Sequence, residues 1–357
     1  MKQTLHRLSE TALSAWSWRL GLTRRLQRRN VARIAIYHSV TDEPDPLFGL
    51  SAAAFARQVA FLARHYRVVA LEEVAEMAAG RRAWIERAVA LTFDDGYEDT
   101  YLVAFPILKK HRLPATIFVT TDYLGAGEPI WLNRLYLAVL NAPVGTYPLP
   151  APLAADLGSL SLGSRAQRQA AAALLIERLY GVPPAARKGL VDEIAGVLEA
   201  SSPPSAATPS IARFLGWGQL REMADTGLIT IGSHGCSHSI VSRLDDDGLR
   251  EELTASKAVI ERELDRPVHH FAYPNGTPSD WDDRAIELLQ DTGYRTAVTN
   301  CPGLVRAGAN LFELPRVGYS GAHEATFAKR LEGMAFRDAA RGLFGRGDVP
   351  AAGQRSR

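Results

Sequence analysis

Residues 91–99 read LTFDDGYED, with Asp94 and Asp95 side by side at the end of an apolar, β-branched run and Gly96 immediately after. Neighbouring side chains of a strand point to opposite faces. At a strand end the chain can leave that alternation and turn both carboxylates toward one pocket. Asp-Gly is also ordinary turn chemistry, so a surface turn is the competing reading. A second motif, IGSHGCSH, spaces His234 and His238 i, i+4. On one helical turn those imidazoles share a face and can bind one metal ion. The competing reading is two unrelated histidines, one packed and one in solvent. A carboxylate from another strand would complete a His₂–carboxylate triad with open positions for water and substrate. The aspartate pair supplies that ligand and, beside it, a second carboxylate able to take a proton from the activated water. Two such close charges resist ionising together unless a cation is present, so their roles must differ.

The elements that would position these residues alternate strand and helix. VARIAIYHSV (31–40) reads as a buried strand ending at Tyr37-His38, AVALTF (88–93) and LPATIFVTT (113–121) as further strands, and LITIGSH, VHHFAY, YRTAVT and LFELPRV as later ones. Between them, Phe55, Val59 and Leu62 have helical spacing, LEEVAEMAAG stops at Gly80, and Pro106 places a kink or restart in YLVAFPILKKH. Helices are also expected near 247–264 and 280–292. The alternation predicts a parallel sheet, and about eight strands make a (β/α) barrel, complete or not, the best fit. Residues 141–213 break the rhythm with helical stretches around 164–180 and 186–200 and the loop or linker SSPPSAATPS (201–210), and the whole segment reads as a helical insertion. Tyr37-His38, Asp94-Asp95, His234 with His238, and Tyr273-Pro274-Asn275-Gly276 all fall at strand ends, which in a parallel barrel converge on one mouth.

Composition narrows the partners. Of 357 residues, 46% are hydrophobic and 22% charged, values of a soluble globular chain, and the net charge is +2. No internal basic stripe points to nucleic acid. Two cysteines, Cys236 and Cys301, imply no disulfide framework and favour a reducing compartment. No run is long enough to span a membrane. Residues 1–30 carry Leu5, Leu8, Trp16, Leu20 and Leu26 among arginines, the pattern of a basic amphipathic helix that can lie on an anionic membrane surface or pack against the domain. No signal sequence is evident, so the expected location is cytoplasmic, with peripheral contact at the inner membrane face through that helix. Residues 336–357 are expected to be a flexible tail.

TFDDGY, SHGCSH and FAYPNG, in this order and spacing, resemble the three main motifs of the polysaccharide deacetylases, carbohydrate esterase family 4 with its NodB-like domain, over roughly residues 31–320 apart from the insertion. The resemblance implies a distorted (β/α)₇ barrel, a domain of residues 31–335, a divalent metal, usually zinc, and hydrolysis of an acetyl group from a saccharide. It assigns Asp94 as general base and Asp95, His234 and His238 as metal ligands. It also points to a backbone N–H near Tyr273–Asn275 as oxyanion donor. Three departures stand out. Gly235 replaces the usual Ser or Thr, Ala272 stands where many members carry Arg, and no histidine closely follows LPRV, His323 being too distant. IAIYHSV is similar to the poly-N-acetylglucosamine deacetylases of this family, whose acid histidine comes early. His38 is therefore the candidate acid, against the reading of a structural strand-end histidine. Arg316 is a candidate for orienting Asp94 in place of the absent arginine, an ordinary salt bridge being the other reading. Cys236, pointing away from the histidine pair, is not expected to be a ligand, and His269, His270, His65 and His111 are read as structural or surface residues. Tyr97, Trp131 and Trp281 could stack on sugar rings or simply pack.

The expected activity is saccharide N-deacetylation in exopolysaccharide or surface-glycan synthesis, on polymeric, lipid-linked or nucleotide-linked substrate. An amidohydrolase of the same fold acting on a small non-sugar amide, and a non-catalytic saccharide-binding protein, are the alternatives.

Overall fold

The computed structural model describes residues 30–42, 49–200, 209–318, 327, 328 and 331. The expected N-terminal amphipathic helix, residues 201–208 of the linker SSPPSAATPS (201–210), His323 and the expected tail lie outside the described residues. The strands are β1 (Val31–Tyr37), β2 (Arg67–Val68), β3 (Ala88–Phe93), β4 (Ala115–Val119), β5 (Gly145–Pro148), β6 (Ser159–Leu162), β7 (Ile229–Ser233), β8 (His270–Ala272), β9 (Thr296–Pro302), β10 (Val305–Arg306) and β11 (Leu314–Gly318). The helices are α1 (Ala52–His65), α2 (Leu71–Ala78), α3 (Phe105–His111), α4 (Trp131–Asn141), α5 (Ala151–Leu157), α6 (Arg165–Tyr180), α7 (Pro184–Ala200), α8 (Trp217–Asp225), α9 (Asp246–Leu264) and α10 (Asp283–Asp291).

Seven parallel strands close on themselves in the order β1-β3-β4-β7-β8-β9-β11 and back to β1, the expected (β/α)₇-type barrel. The seam joins the first and last strands through Ala35–Val317 and Ile36–Gly318. Short β2 extends the edge of β3 in parallel, and β10 adds to β1 antiparallel. Alternation within the strands sorts two cores. Ala32, Ile34, Ala88, Ala90, Ala272, Val298 and Leu314 face inward with Leu71, Val74 and Met77 of α2. Ala35, Tyr37, Val89, Leu91, Phe93, Ile117 and Val119 face outward under the surrounding helices. A single turn of wide helix at Thr100–Ala104 leads into α3, with Pro106 in its first turn where the missing N–H costs nothing.

Between β4 and β7 the chain builds α4 to α7 and the β5–β6 hairpin, which bury their own cluster around Trp131, Leu135, Leu175, Leu179, Val191 and Ile194. The hairpin and α4 had no clear signal in the sequence pattern. Among the described residues no helix is long and apolar enough to cross a membrane.

Candidate active site

Inward parity carries β3 from Ala88, Ala90 and Thr92 to Asp94, which is buried at the barrel mouth. The Asp94 N–H bonds the Tyr37 carbonyl of β1 (3.0 Å), so the inward position next along β1, His38, stands beside it. Asp95 then departs from the strand with φ 74°, and Gly96 follows with φ 86°. A left-handed aspartate is costly and is kept where the surroundings demand it. This kink turns the second carboxylate over the mouth.

The Asp95 carboxylate meets both histidines there. His234 Nε2 and His238 Nε2 each lie 3.4 Å from Asp95 Oδ1. One donor atom from each of the three buried residues falls within 4.8 Å of the other two. Yet among the described residues Oδ1 of Asp95 has no hydrogen-bond donor in good geometry. A buried carboxylate oxygen without a partner is rare and expensive. Donors bound tetrahedrally at about 2.0–2.1 Å from one ion stand about 3.3–3.4 Å apart, so this donor set fits a divalent metal. His234 Nδ1 is 2.7 Å from the Ala272 carbonyl, which fixes the ring with Nε2 toward Asp95. Burial pushes the Asp95 carboxyl up, but the two imidazoles facing it hold it well below the ordinary range.

The helical turn expected for the histidine pair does not form. Gly235 (φ 82°) and His238 (φ 58°) are left-handed, and the loop leaves its N–H groups to a carboxylate, Glu252 of α9. The pair converges through an irregular loop at the end of β7.

Asp94 has a separate partner. Arg316 Nη1 and Nη2 donate to Asp94 Oδ1 and Oδ2 at 2.7 and 2.6 Å, a bidentate fork with both residues buried. Its Nε donates to the Thr299 carbonyl (2.8 Å), and Nη1 also reaches Thr92 Oγ1 (3.3 Å). The register between β9 and β11 shifts between Leu314 and Arg316, the segment in which β9 presents that carbonyl. Burial raises the Asp94 carboxyl, and the charges of Arg316, His234 and His38 outweigh it, so it sits below its usual value. His38, next along β1 from the Tyr37 carbonyl that Asp94 bonds, is half-buried at this end of the barrel. The chain after it is tied down by Asp99, which accepts from Ser39 Oγ (2.5 Å) and Val40 N–H (3.2 Å).

On the opposite side, Tyr273 points outward from the barrel. Its hydroxyl donates to the Phe312 carbonyl (3.1 Å), its ring stacks on Trp281, and its N–H bonds the Val298 carbonyl (3.2 Å). Asn275 (φ 61°) is fixed by Asp280, and Gly276 (φ 67°) completes the turn. Cys236 Sγ faces the carbonyls of Glu251 and Glu252, and burial pushes its thiol up to about 12. Tyr97, Trp131 and Trp281 are buried, Tyr97 accepting from Asn133 Nδ2 (2.8 Å). His270 is buried against Thr296, and burial lowers it to about 3. Sequence reasoning missed Thr92 and Thr299, which steady Arg316, and Glu252 and Arg187 beside the histidine loop. Of these only Thr92 carried a signal, its place two residues before Asp94.

Comparison with known proteins agrees with this fold. The chain is 21% identical over 270 residues to YxkH of Bacillus subtilis (strain 168), named for the polysaccharide deacetylases, covering 75% of this chain and 65% of that one. It is 38% identical over 82 residues to the poly-beta-1,6-N-acetyl-D-glucosamine N-deacetylase of Escherichia coli (strain K12), covering 22% of this chain and 12% of that enzyme. The chain therefore spans less than two thirds of the length of these relatives. The fold superposes on IcaB from Ammonifex degensii with a TM-score of 0.55 at 18% identity, covering 87% of this chain and 98% of that one. The family model for polysaccharide deacetylase matches residues 82–147 and 185–297, about half of the chain. With motifs, barrel and family model in agreement, the chain belongs to the polysaccharide deacetylase family.

Proposed function

We propose that this protein is a metal-dependent saccharide N-deacetylase that hydrolyses the acetamido group of an N-acetylhexosamine unit in an exopolysaccharide or a precursor of one. The observation that carries this reading is the Asp95 Oδ1 that faces two imidazole nitrogens and has no hydrogen bond among the described residues, next to a second aspartate clamped by arginine. The names of the matched poly-N-acetylglucosamine deacetylases support the substrate class.

Asp95, His234 and His238 would hold the ion, zinc being the best match to a His₂–carboxylate set. A bound divalent metal lowers the pKa of water and polarises the acetyl carbonyl. Asp94, kept ionised and oriented by Arg316, takes the proton of the attacking water. His38 gives a proton to the sugar nitrogen as the C–N bond breaks, so acetate and the amine leave. An N–H of the Tyr273–Asn275 turn faces the developing oxyanion. Tyr273 N–H is committed to the Val298 carbonyl, which leaves the Asn275 N–H as the more available donor.

The test is acetate release from N-acetylglucosamine oligomers with added zinc or cobalt, comparing wild type with Asp94→Asn and His38→Ala. Release by wild type and large losses in both variants is the expected result. Full activity in His38→Ala would refute the early-histidine acid. Bound metal without acetate from any oligomer would point instead to a small non-sugar amide or to saccharide binding alone.

A further inference from the structure

His234 is oriented from outside its ring by the Ala272 carbonyl, but His238 is not: its Nδ1 is buried without a hydrogen-bond partner among the described residues. Apart from Asp95 Oδ1 and the edge of the His234 ring, its orientation comes from its backbone, which is itself in a left-handed conformation. The residues on either side of it, Ser237 and Ser239, are held from two directions.

From one side comes Glu252 of α9, 5% exposed. Its carboxylate accepts the N–H of Cys236 (2.6 Å), the N–H of Ser237 (3.1 and 3.2 Å to its two oxygens) and the Ser237 hydroxyl. From the other comes Arg187 of α7, 2% exposed, in the helical segment between β4 and β7. Its Nη1 donates to Ser239 Oγ (3.2 Å), its Nε and Nη2 donate to the Val182 carbonyl, and its guanidinium lies over the Trp131 ring at 4.8 Å. Ser237 Oγ and Ser239 Oγ are 2.6 Å apart. Each hydroxyl has one proton to give. Ser237 gives its proton to Glu252, so Ser239 must donate to Ser237, and Ser239 in turn accepts from Arg187. The chain of donors therefore runs one way, from a buried cation through two hydroxyls to a buried anion, and each end offsets the desolvation of the other.

Gly235 belongs to the same device. A Cβ at that position would stand 2.6 Å from Glu252 Oε2. A side chain there would press on the carboxylate that anchors the loop, and glycine leaves that carboxylate its place.

We propose that Glu252, with Arg187 acting through Ser239 and Ser237, positions His238 for metal binding and couples the helical segment between β4 and β7 to the metal loop. The proposal rests on reading Asp95, His234 and His238 as the metal ligands. Cobalt and zinc affinity, the visible spectrum of the cobalt form and thermal stability would be measured for wild type, Glu252→Gln, Ser237→Ala, Arg187→Met and the Glu252→Gln/Arg187→Met double variant, with acetate release measured in parallel. Partners in the outer shell of metal ligands are typically worth about 10–100-fold in affinity, and Glu252→Gln should fall in that range, with Ser237→Ala weaker in the same direction. Arg187→Met should also lose affinity and alter the cobalt spectrum, although it touches no ligand. The double variant should lose less than the product of the two single losses, because both ends serve one chain. Wild-type affinity and spectrum in Glu252→Gln would overturn the proposal. If that variant fails to fold, Ser237→Ala, which deletes one hydroxyl, decides it by the same readout. Weakened metal binding alongside a wild type that releases no acetate would uphold the positioning role and reject the deacetylase reading. A wild type that binds no metal would remove the premise of both.

Discussion

Arg316→Met is the most informative single change. It removes a guanidinium whose two N–H groups grip Asp94, with side chains 1% and 3% exposed, and leaves the carboxylate buried. Deleting one partner of such a pair costs about 3–5 kcal/mol, most of it the stranded charge. The protein can escape part of that cost by protonating Asp94. Aspartates beside arginine are depressed by about 1–3 pKa units, each unit being about 1.36 kcal/mol. Asp94 is depressed in the intact site, so its ionisation contributes stability above the ordinary aspartate range, and this contribution is lost as pH falls through the depressed value. Without Arg316, burial raises the Asp94 carboxyl with its largest countercharge gone. The acid limb of kcat/KM against pH, measured by acetate release at saturating zinc, should move up by about 1–3 units. The activity at neutral pH should fall by about 10²–10⁴, the usual worth of a placed general base. The stability deficit, read by urea unfolding, should be largest near neutrality and shrink in acid, where Asp94 is protonated in both proteins. Arg316→Lys, which keeps the charge without the fork, should shift the limb less and still lose rate. A folded, metal-loaded Arg316→Met with the wild-type acid limb would refute the assignment of Asp94 as the base governed by Arg316.

Three other outcomes follow from the same geometry. Chelation should lower the melting temperature and added zinc should restore it, since metal at about 100 times its Kd adds about 2.7 kcal/mol; Asp95→Asn should abolish that response in a differential scanning measurement. Gly235→Ala should destabilise by at least about 1–2 kcal/mol from its left-handed backbone alone, before the contact with Glu252 is counted, as read by urea unfolding. Leu175→Ala, in the separate core of the segment between β4 and β7, should cost about 3–5 kcal/mol by the same assay.

The barrel was legible because its strands are apolar runs that end in polar residues: AVALTF runs straight into Asp94-Asp95, and VARIAIY into His38. Period-two parity then places His38, Asp94 and Arg316 on the inward face without further information. The β5–β6 hairpin was not legible, since GTYP and SLSL are four residues each, half exposed, and lack a long β-branched run. The conformation of the histidine loop was not legible either. An i, i+4 spacing is what a helix would give, and only the positive φ of Gly235 and His238, together with a carboxylate from α9, makes the loop converge differently. Glu252 follows His238 by an unremarkable interval, and Arg187 precedes it by most of α7, the linker, α8 and β7. Nothing in their spacing marks them, because their meeting is a product of tertiary packing.

The seam between β1 and β11 has a consequence in time. A ribosome delivers Asp94, Asp95, His234 and His238 well before Arg316, which stands 222 residues after the carboxylate it holds. Until β11 docks beside β1, the nascent sheet has open edges at β1 and β9, and Asp94 has no guanidinium. Long-range closure of this kind is among the slower steps of folding. The clamp on Asp94 is therefore the last contact of the site to be made, and until the barrel is shut the carboxylate lacks the partner that orients it.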